Sequence, residues 1–301
     1  MVEHTIAATQ AVVTMDTPLE GIVWPWLVTM NMWAKSIGTG LFFMLIYLIK
    51  RYPQSSNTLA IKTSVSVTSF AFLNIFLLFT LADLHQPFRM INIFLHPHWT
   101  SPITVGAWMA TVLVGLISLM VLATFIKKDE KLFDKLLTPV VILAIPVTLY
   151  TAVLMGMSTG KELWQTPTEL AQMMLAALLA GSATMLIIGG SLEDKAKRDL
   201  LAVLGISAMT MFTIFMGEYF FGPMKSDEVA VVLEAVKGHG EYKLMFWTAM
   251  SLGFLIPAFL AFFGIKNKTN GFNVIASLSA LVGLWLAKHV WLMIPQLIPM
   301  N

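Results

Sequence analysis

The sequence predicts an all-α, polytopic membrane protein with eight transmembrane helices, arranged as two four-helix bundles. Three observations carry that prediction. Of its 301 residues 57% are hydrophobic and only 12% charged, with a mean hydropathy of +0.77. Apolar runs recur along the whole chain, each near the roughly 20 residues a helix needs to cross a bilayer core of about 30 Å. The stretches between the runs are short, so the chain reads as one integral membrane domain over 1–301. Backbone polar groups in lipid must be paired within their own segment, and helices do this.

The eight runs can be taken in order: 22–49, 59–82, 103–126, 135–157, 168–190, 200–221, 243–265 and 271–295. Glu3 and Asp16 precede the first, and no Lys or Arg comes before Lys35. A cleavable signal needs a basic start and a short apolar core, so the first run is expected to be a retained helix. Gly38 and Gly40 give it a small face for close helix contact. The second run ends at Asp83, and a polar loop separates it from the third. Pro146 should kink the fourth and Pro257 the seventh. The fifth has its own small face at Ala180, Gly181, Ser182 and Ala183, while Glu218 lies near the outer end of the sixth. Lys288 and His289 are neighbours in the eighth and point to different sides of it. The halves show no convincing internal repeat.

Basic residues orient the bundle. The loops after runs one, three, five and seven and the adjoining run ends hold eleven of the nineteen Lys and Arg residues, from Lys50 and Arg51 to Lys266 and Lys268. Opposite them stand Arg89, Lys161, Lys225, Lys237 and Lys243. The positive-inside rule then puts both termini outside, in the periplasm of a bacterial or archaeal cytoplasmic membrane. A net charge of +2 gives no sign of nucleic acid as a partner; the bilayer is the evident one. With no cysteine the chain can hold neither a disulfide nor a thiolate-ligated iron–sulfur cluster. Haem needs His pairs at matching depth, and only His289 lies clearly inside a run, so no haem is expected.

The segment ADLHQPFRMINIFLHPHWTSPITVGA, 82–107, is the chemically richest. It gathers Asp83, His85, Arg89, His96 and His98 between two apolar runs, where charge is costly unless it has a use. An interfacial loop that caps helix ends is the plain alternative. Lys35 lies too deep in the first run to reach water easily, so a buried partner is expected, with Glu218 as a candidate mate. Lys35, Glu218 and Lys288 are candidate proton relays; a structural ion pair is the other reading of Lys35. His96 and His98 flank Pro97 in a loop suited to docking as much as to proton handling, and no ligand spacing there marks a metal site. Among function classes, intramembrane ionisable groups and Pro-broken helices would also serve a secondary transporter of a small solute or ion, although paired broken helices are lacking.

The first run, VWPWLVTMNMWAKSIGTG from Val23, resembles the W-x-W opening and Gly-ended helix of the NrfD/PsrC-like (polysulfide reductase membrane subunit) family of quinone-reactive membrane subunits. ADLHQPFRMINIFLHPHWTSPITVGAW is similar to that family's D-L-x-x-P-x-R, L-H-P and T-S-x-x-x-G-x-W pattern. Tyr150-Thr151, followed by WQTP at Trp164 to Pro167, looks like its Y-T-G…W-N-T-P stretch. LVGLWLAKHVWLMIPQ is similar to its last helix, in which an Arg is common at the place of Lys288. Val28, where some members carry a polar group, and Ala152, where Gly is usual, depart from the pattern.

The resemblance implies the membrane-anchor subunit of a multi-subunit respiratory oxidoreductase. Such a subunit exchanges electrons between menaquinone or ubiquinone and an extrinsic iron–sulfur subunit, often with a molybdopterin catalytic subunit beyond it. Proton translocation is a further possibility that the resemblance raises. It also implies a quinone site among the first four helices. Asn31 and Tyr150 match its polar positions, with the Asp83–Arg89 region, His85 included, beside them. Asp83, Arg89 and Tyr150 are accordingly the candidate catalytic groups, and Asn31, Tyr150 and His85 the candidate quinone contacts. Quinone reduction takes up two electrons and two protons, so Tyr and Asn donors to the carbonyls and an acid at the mouth suit it. Asn31 serves equally well as a bond between helices, and Tyr150 as an interfacial anchor.

Overall fold

The computed structural model describes residues 22–84, 86–158 and 160–297. Among them eight helices are long and apolar enough to cross a membrane: Trp26–Arg51, Leu59–Asp83, Pro102–Ile126, Glu130–Gly156, Thr166–Ile188, Asp194–Met224, Lys243–Lys266 and Asn273–Leu297. These are spans one to eight below. No strand occurs among the described residues. The chain is a multi-pass membrane protein.

Most ends fall within a few residues of the apolar runs, and the exceptions have local causes. Span four begins at Glu130 rather than 135, because Asp129 caps it by accepting from the Leu132 amide at 3.2 Å. Span six begins at Asp194 rather than 200, so Lys195, Lys197 and Arg198 sit on a helical turn rather than in a loop. Span four runs through both Pro139 and Pro146. In span seven Pro257 follows a π-helical turn, Ser251–Leu255. A proline ring clashes with the carbonyl four residues earlier, here that of Gly253, and the wider π turn is a common way to relieve such a clash.

Spans one to four form one ring of neighbours and spans five to eight another. The two groups meet along span one, which packs on spans five and eight, and along span four against span five. Small residues set the closest approach. A Cβ on Gly40 would lie 2.0 Å from the Ala177 carbonyl oxygen, and one on Gly181 2.3 Å from the Gly40 backbone. The two small faces read in runs one and five therefore pack on each other, backbone to backbone.

Polar bonds then lock span one to span eight. Gln296 accepts from the Trp24 amide at 2.8 Å and donates to its carbonyl at 3.0 Å. Thr29 Oγ1 meets His289 Nδ1 at 3.1 Å, and Trp33 Nε1 donates to the Leu281 carbonyl at 2.9 Å. Trp164 of the WQTP stretch stacks on Trp24 at 5.2 Å and donates to the Trp291 carbonyl at 3.1 Å. At the opposite end Tyr47, Arg51 and Tyr52 converge on Asp199 at 2.7–3.3 Å. Lys62, only 1% exposed, is held there by Glu130 at 3.0 Å and Asp134 at 2.8 Å. In lipid such bonds replace water, so each contributes to which helices lie side by side.

Candidate functional site

Spans one to four enclose a cavity of about 840 Å³, within the range of small-molecule sites. Its wall is largely apolar, with Asn31, Thr80, Asp83, Tyr150 and Thr151 as polar points within and Asn74 and Thr111 at its edge. Met90, Ile93 and Phe94, from the loop after span two, roof it. That loop folds into a 3-10 turn, Pro87–Arg89, and a short helix, Asn92–Leu95, pinned by Phe94 packing edge-on to Trp108 at 5.5 Å. One side stands open: Ala71, Asn74 and Leu78 of span two and Ile103 and Thr111 of span three line the cavity and are also exposed on the bundle's flank. A lipid-soluble molecule could enter there without crossing water.

Each polar group is placed by its neighbours. Asn31 Nδ2 donates to Thr80 Oγ1, and Thr80 Oγ1 donates to the Phe76 carbonyl at 2.8 Å. An amide has two N–H donors and a carbonyl, so Asn31 keeps capacity for a ligand. Tyr150 is half-buried, with its ring over Gly106. Lys35, 0% exposed, lies behind it: its Nζ is 4.4 Å from the Tyr150 ring centre and donates to Thr151 Oγ1. Aromatic faces stabilise a desolvated ammonium, and Phe76 offers a second one at 5.9 Å. Asp83, the last residue of span two, reaches the cavity at its loop end.

The other candidates lie elsewhere. Arg89 is exposed on the 3-10 turn. His85 lies outside the described residues. Glu218 does not pair with Lys35; Lys225 holds it at 2.6 and 2.7 Å, from just beyond the 3-10 turn Gly222–Met224. Lys288 belongs to the second bundle, with Nζ 3.3 Å from Met173 Sδ. His289 faces away from it, stacked on Trp285 at 5.2 Å. His96 and His98 are exposed, and among the described residues no group of three His, Cys, Asp or Glu side chains could hold a metal.

The polysulphide reductase NrfD profile matches residues 16–299, nearly the whole chain. The chain belongs to the NrfD family. Membership makes it a membrane subunit of the quinone-reactive oxidoreductase type, and quinone binding and electron transport follow from the family. No curated protein matches it. The NrfD-type loop pattern gains a physical meaning here. In this chain the stretch from Thr100 reads T-S-x-x-x-x-G-x-W and ends on Gly106 and Trp108: the glycine leaves space for the Tyr150 ring and the tryptophan anchors the roof.

Gly106 was not among the residues singled out from sequence, although the motif contained it. A Cβ there would lie 2.6 Å from Tyr150 Cδ2 and 3.1 Å from Cγ, atoms of a rigid ring close to its own backbone. Gly106→Ala should therefore push the phenol out of position. The expected result is an assembled complex whose quinone-linked turnover falls roughly 10-fold, since about 1.4 kcal/mol of misplacement is enough. Turnover assays on purified complex, with subunit content as control, check it.

Proposed function

We propose that this subunit passes electrons between the quinone pool and an extrinsic iron–sulfur subunit, with the quinone headgroup in the cavity of spans one to four. The observation that carries the reading is the convergence of Asn31, Tyr150 and Asp83 on one largely apolar cavity with a lateral opening. Asn31 and Tyr150 donate to the carbonyls, and the apolar wall between spans two and three takes the isoprenoid tail. Reduction joins one quinone, two electrons and two protons into one quinol; oxidation is the reverse. The electrons come from or return to the iron–sulfur partner, because the chain itself has no cysteine to bind a cluster. Asp83 exchanges protons at the mouth, and Lys35 holds Tyr150 and Thr151 from behind.

Menaquinone and ubiquinone both fit such a wall. Phe88 is 97% exposed, and Ile91, Leu95 and Trp99 beside it are exposed too, which suits docking of the iron–sulfur subunit over the roof. A molybdopterin subunit would then sit further out. The secondary-transporter reading has less support, because the cavity belongs to one bundle and faces lipid rather than lying between two moving halves.

The same reading places both termini and the 84–101 loop on the periplasmic face of a bacterial or archaeal cytoplasmic membrane. A reporter fused after Lys131 should be cytoplasmic and one after Lys237 external. Reversed labelling at both points would overturn the orientation. The proposal as a whole is tested by measuring quinone-linked turnover of the complex in parallel with dye-linked turnover that bypasses this subunit. Variants of the cavity should lose the first and keep the second.

A further inference from the structure

Four exposed lysines, Lys127, Lys128, Lys131 and Lys135, crowd the turn that joins span three to span four. The turn is short. Span three ends at Ile126 in a π-helical turn, Leu122–Ile126, and span four begins at Glu130. Lys128 takes the left-handed backbone, φ 54°, and the Asp129 amide donates back to the Ala123 carbonyl at 2.8 Å. Spans three and four pack side by side, so this tight reversal keeps both pairs of lysines near one end of the first bundle. Lys131 and Lys135 are one helical turn apart on the same face of span four.

The three acids of the stretch are already engaged. Asp129 accepts from the Leu132 amide, while Glu130 and Asp134 hold the buried Lys62. None of the four exposed lysines joins an ion pair among the described residues. With Lys62 included, five lysines face three acids, so the stretch carries a net charge of +2. Other cations at this end of the molecule are bound: Arg51 is tied to Asp199, and Lys197 donates to the Gly190 carbonyl at 2.9 Å. Toward the bilayer centre the same surface turns apolar. Leu119, Leu122 and Ile126 are exposed at helical spacing on span three. On span four the Lys131–Lys135 face continues through Thr138 to exposed Ile142 and Ile145. Ammonium groups at the interface with aliphatic flanks beneath them match the layout of a phospholipid, phosphate first and acyl chains next.

We propose that the lysine ends of spans three and four form a binding site for an anionic phospholipid, best matched by one with two phosphates, a cardiolipin. Lys127 and Lys128 hold one phosphate and Lys131 and Lys135 the other, so the headgroup bridges the two helices across their turn. Two phosphates balance the surplus charge of the stretch, and a single phosphate balances half of it. The acyl chains lie along the exposed leucine and isoleucine faces. This site is at the opposite end of span three from the mouth of the quinone cavity, and it stands independently of the quinone reading.

The intact complex in phosphatidylcholine vesicles tests it. Three probes with the same photoreactive diazirine on an acyl chain are added in turn: cardiolipin, phosphatidylglycerol and phosphatidylcholine. Crosslinks are mapped by peptide mass spectrometry in the wild type and in Lys131→Gln plus Lys135→Gln. A control, Lys266→Gln plus Lys268→Gln, removes the same charge from the end of span seven. In the wild type, cardiolipin should label segments 119–126 and 138–145 about 10-fold more than phosphatidylcholine does, with phosphatidylglycerol between them. The Lys131–Lys135 variant should lose most of that preference, since each lysine facing an anionic headgroup is worth about fivefold in binding. The control should keep it. Equal labelling by cardiolipin and phosphatidylcholine in the wild type would overturn the site and leave these lysines only their role in orienting the helices. That comparison needs no substitution, so it decides even where the variant assembles poorly. An undiminished preference in an assembled variant would also overturn the site, as would a patch that no probe reaches because a partner protein covers it. Phosphatidylglycerol labelling as strong as that of cardiolipin would overturn the two-phosphate match.

Discussion

Tyr150→Phe is expected to lower quinone-linked turnover roughly 10- to 100-fold, and Asp83→Asn to do the same, while the complex still assembles. A hydrogen bond that involves a charged group is worth on the order of 1.5–3 kcal/mol, and each 1.36 kcal/mol is tenfold in rate. Asn31 and Thr80 lie on the span one and two side of the cavity, so neither stands where the phenol does. Replacing the hydroxyl leaves the ring over Gly106 and Lys35 intact, so packing changes little. Asp83→Asn keeps shape and removes the acid. The check is steady-state turnover with a quinone analogue, beside dye-linked activity that bypasses this subunit. If both variants assemble and keep wild-type quinone turnover, the reaction takes place in another pocket.

Gly40→Leu should have the largest structural effect. A single added Cβ would sit 2.0 Å from the Ala177 carbonyl oxygen and 2.9 Å from the Gly181 nitrogen, and both are backbone atoms that cannot rotate away. The remaining side-chain atoms would force spans one and five apart along the seam that joins the two bundles. Overpacking a tight core typically costs 1–3 kcal/mol, and a backbone-to-backbone crossing lies at or beyond the upper end. The expected outcome is loss of most assembled subunit from the membrane, read as the yield of monodisperse complex after detergent extraction. Gly115→Leu is the matched control, because nothing lies within 4 Å of a Cβ at that position.

Much of this arrangement is legible in the sequence, because a bilayer makes length and hydropathy nearly sufficient to define a helix. The small faces at Gly38–Gly40 and Ala180–Ala183 are legible for a similar reason: only close backbone contact makes glycine and alanine useful there. What sequence cannot supply is which charge lies beside which. Lys35 and Glu218 look like mates, since both are ionisable and in or near the bilayer, yet Glu218 finds Lys225 just beyond its own helix end. Lys35 is instead surrounded by aromatic rings and Thr151.

Glu169 escaped notice for a different reason. An acid in the first turn after Thr166-Pro167 reads as a plain answer to the helix dipole. Only span eight, laying Trp291 over it, shows that it is buried. Lys62 is buried for a comparable reason: the early start of span four brings Glu130 and Asp134 to it. Gly106 could have been found, because a glycine inside a loop-to-helix motif asks what its missing side chain makes room for.

The central claim is that quinone binds among spans one to four. A photoreactive azido-quinone bearing an isoprenoid tail, irradiated with the intact complex and mapped by peptide mass spectrometry, tests it most directly. Adducts are expected in segments 71–84, 90–94, 103–111 and 150–154, which carry the lining of the cavity and its lateral opening, and should be lost when excess unlabelled quinone is added. Competable adducts confined to spans five to eight, with none in the first bundle, would contradict it.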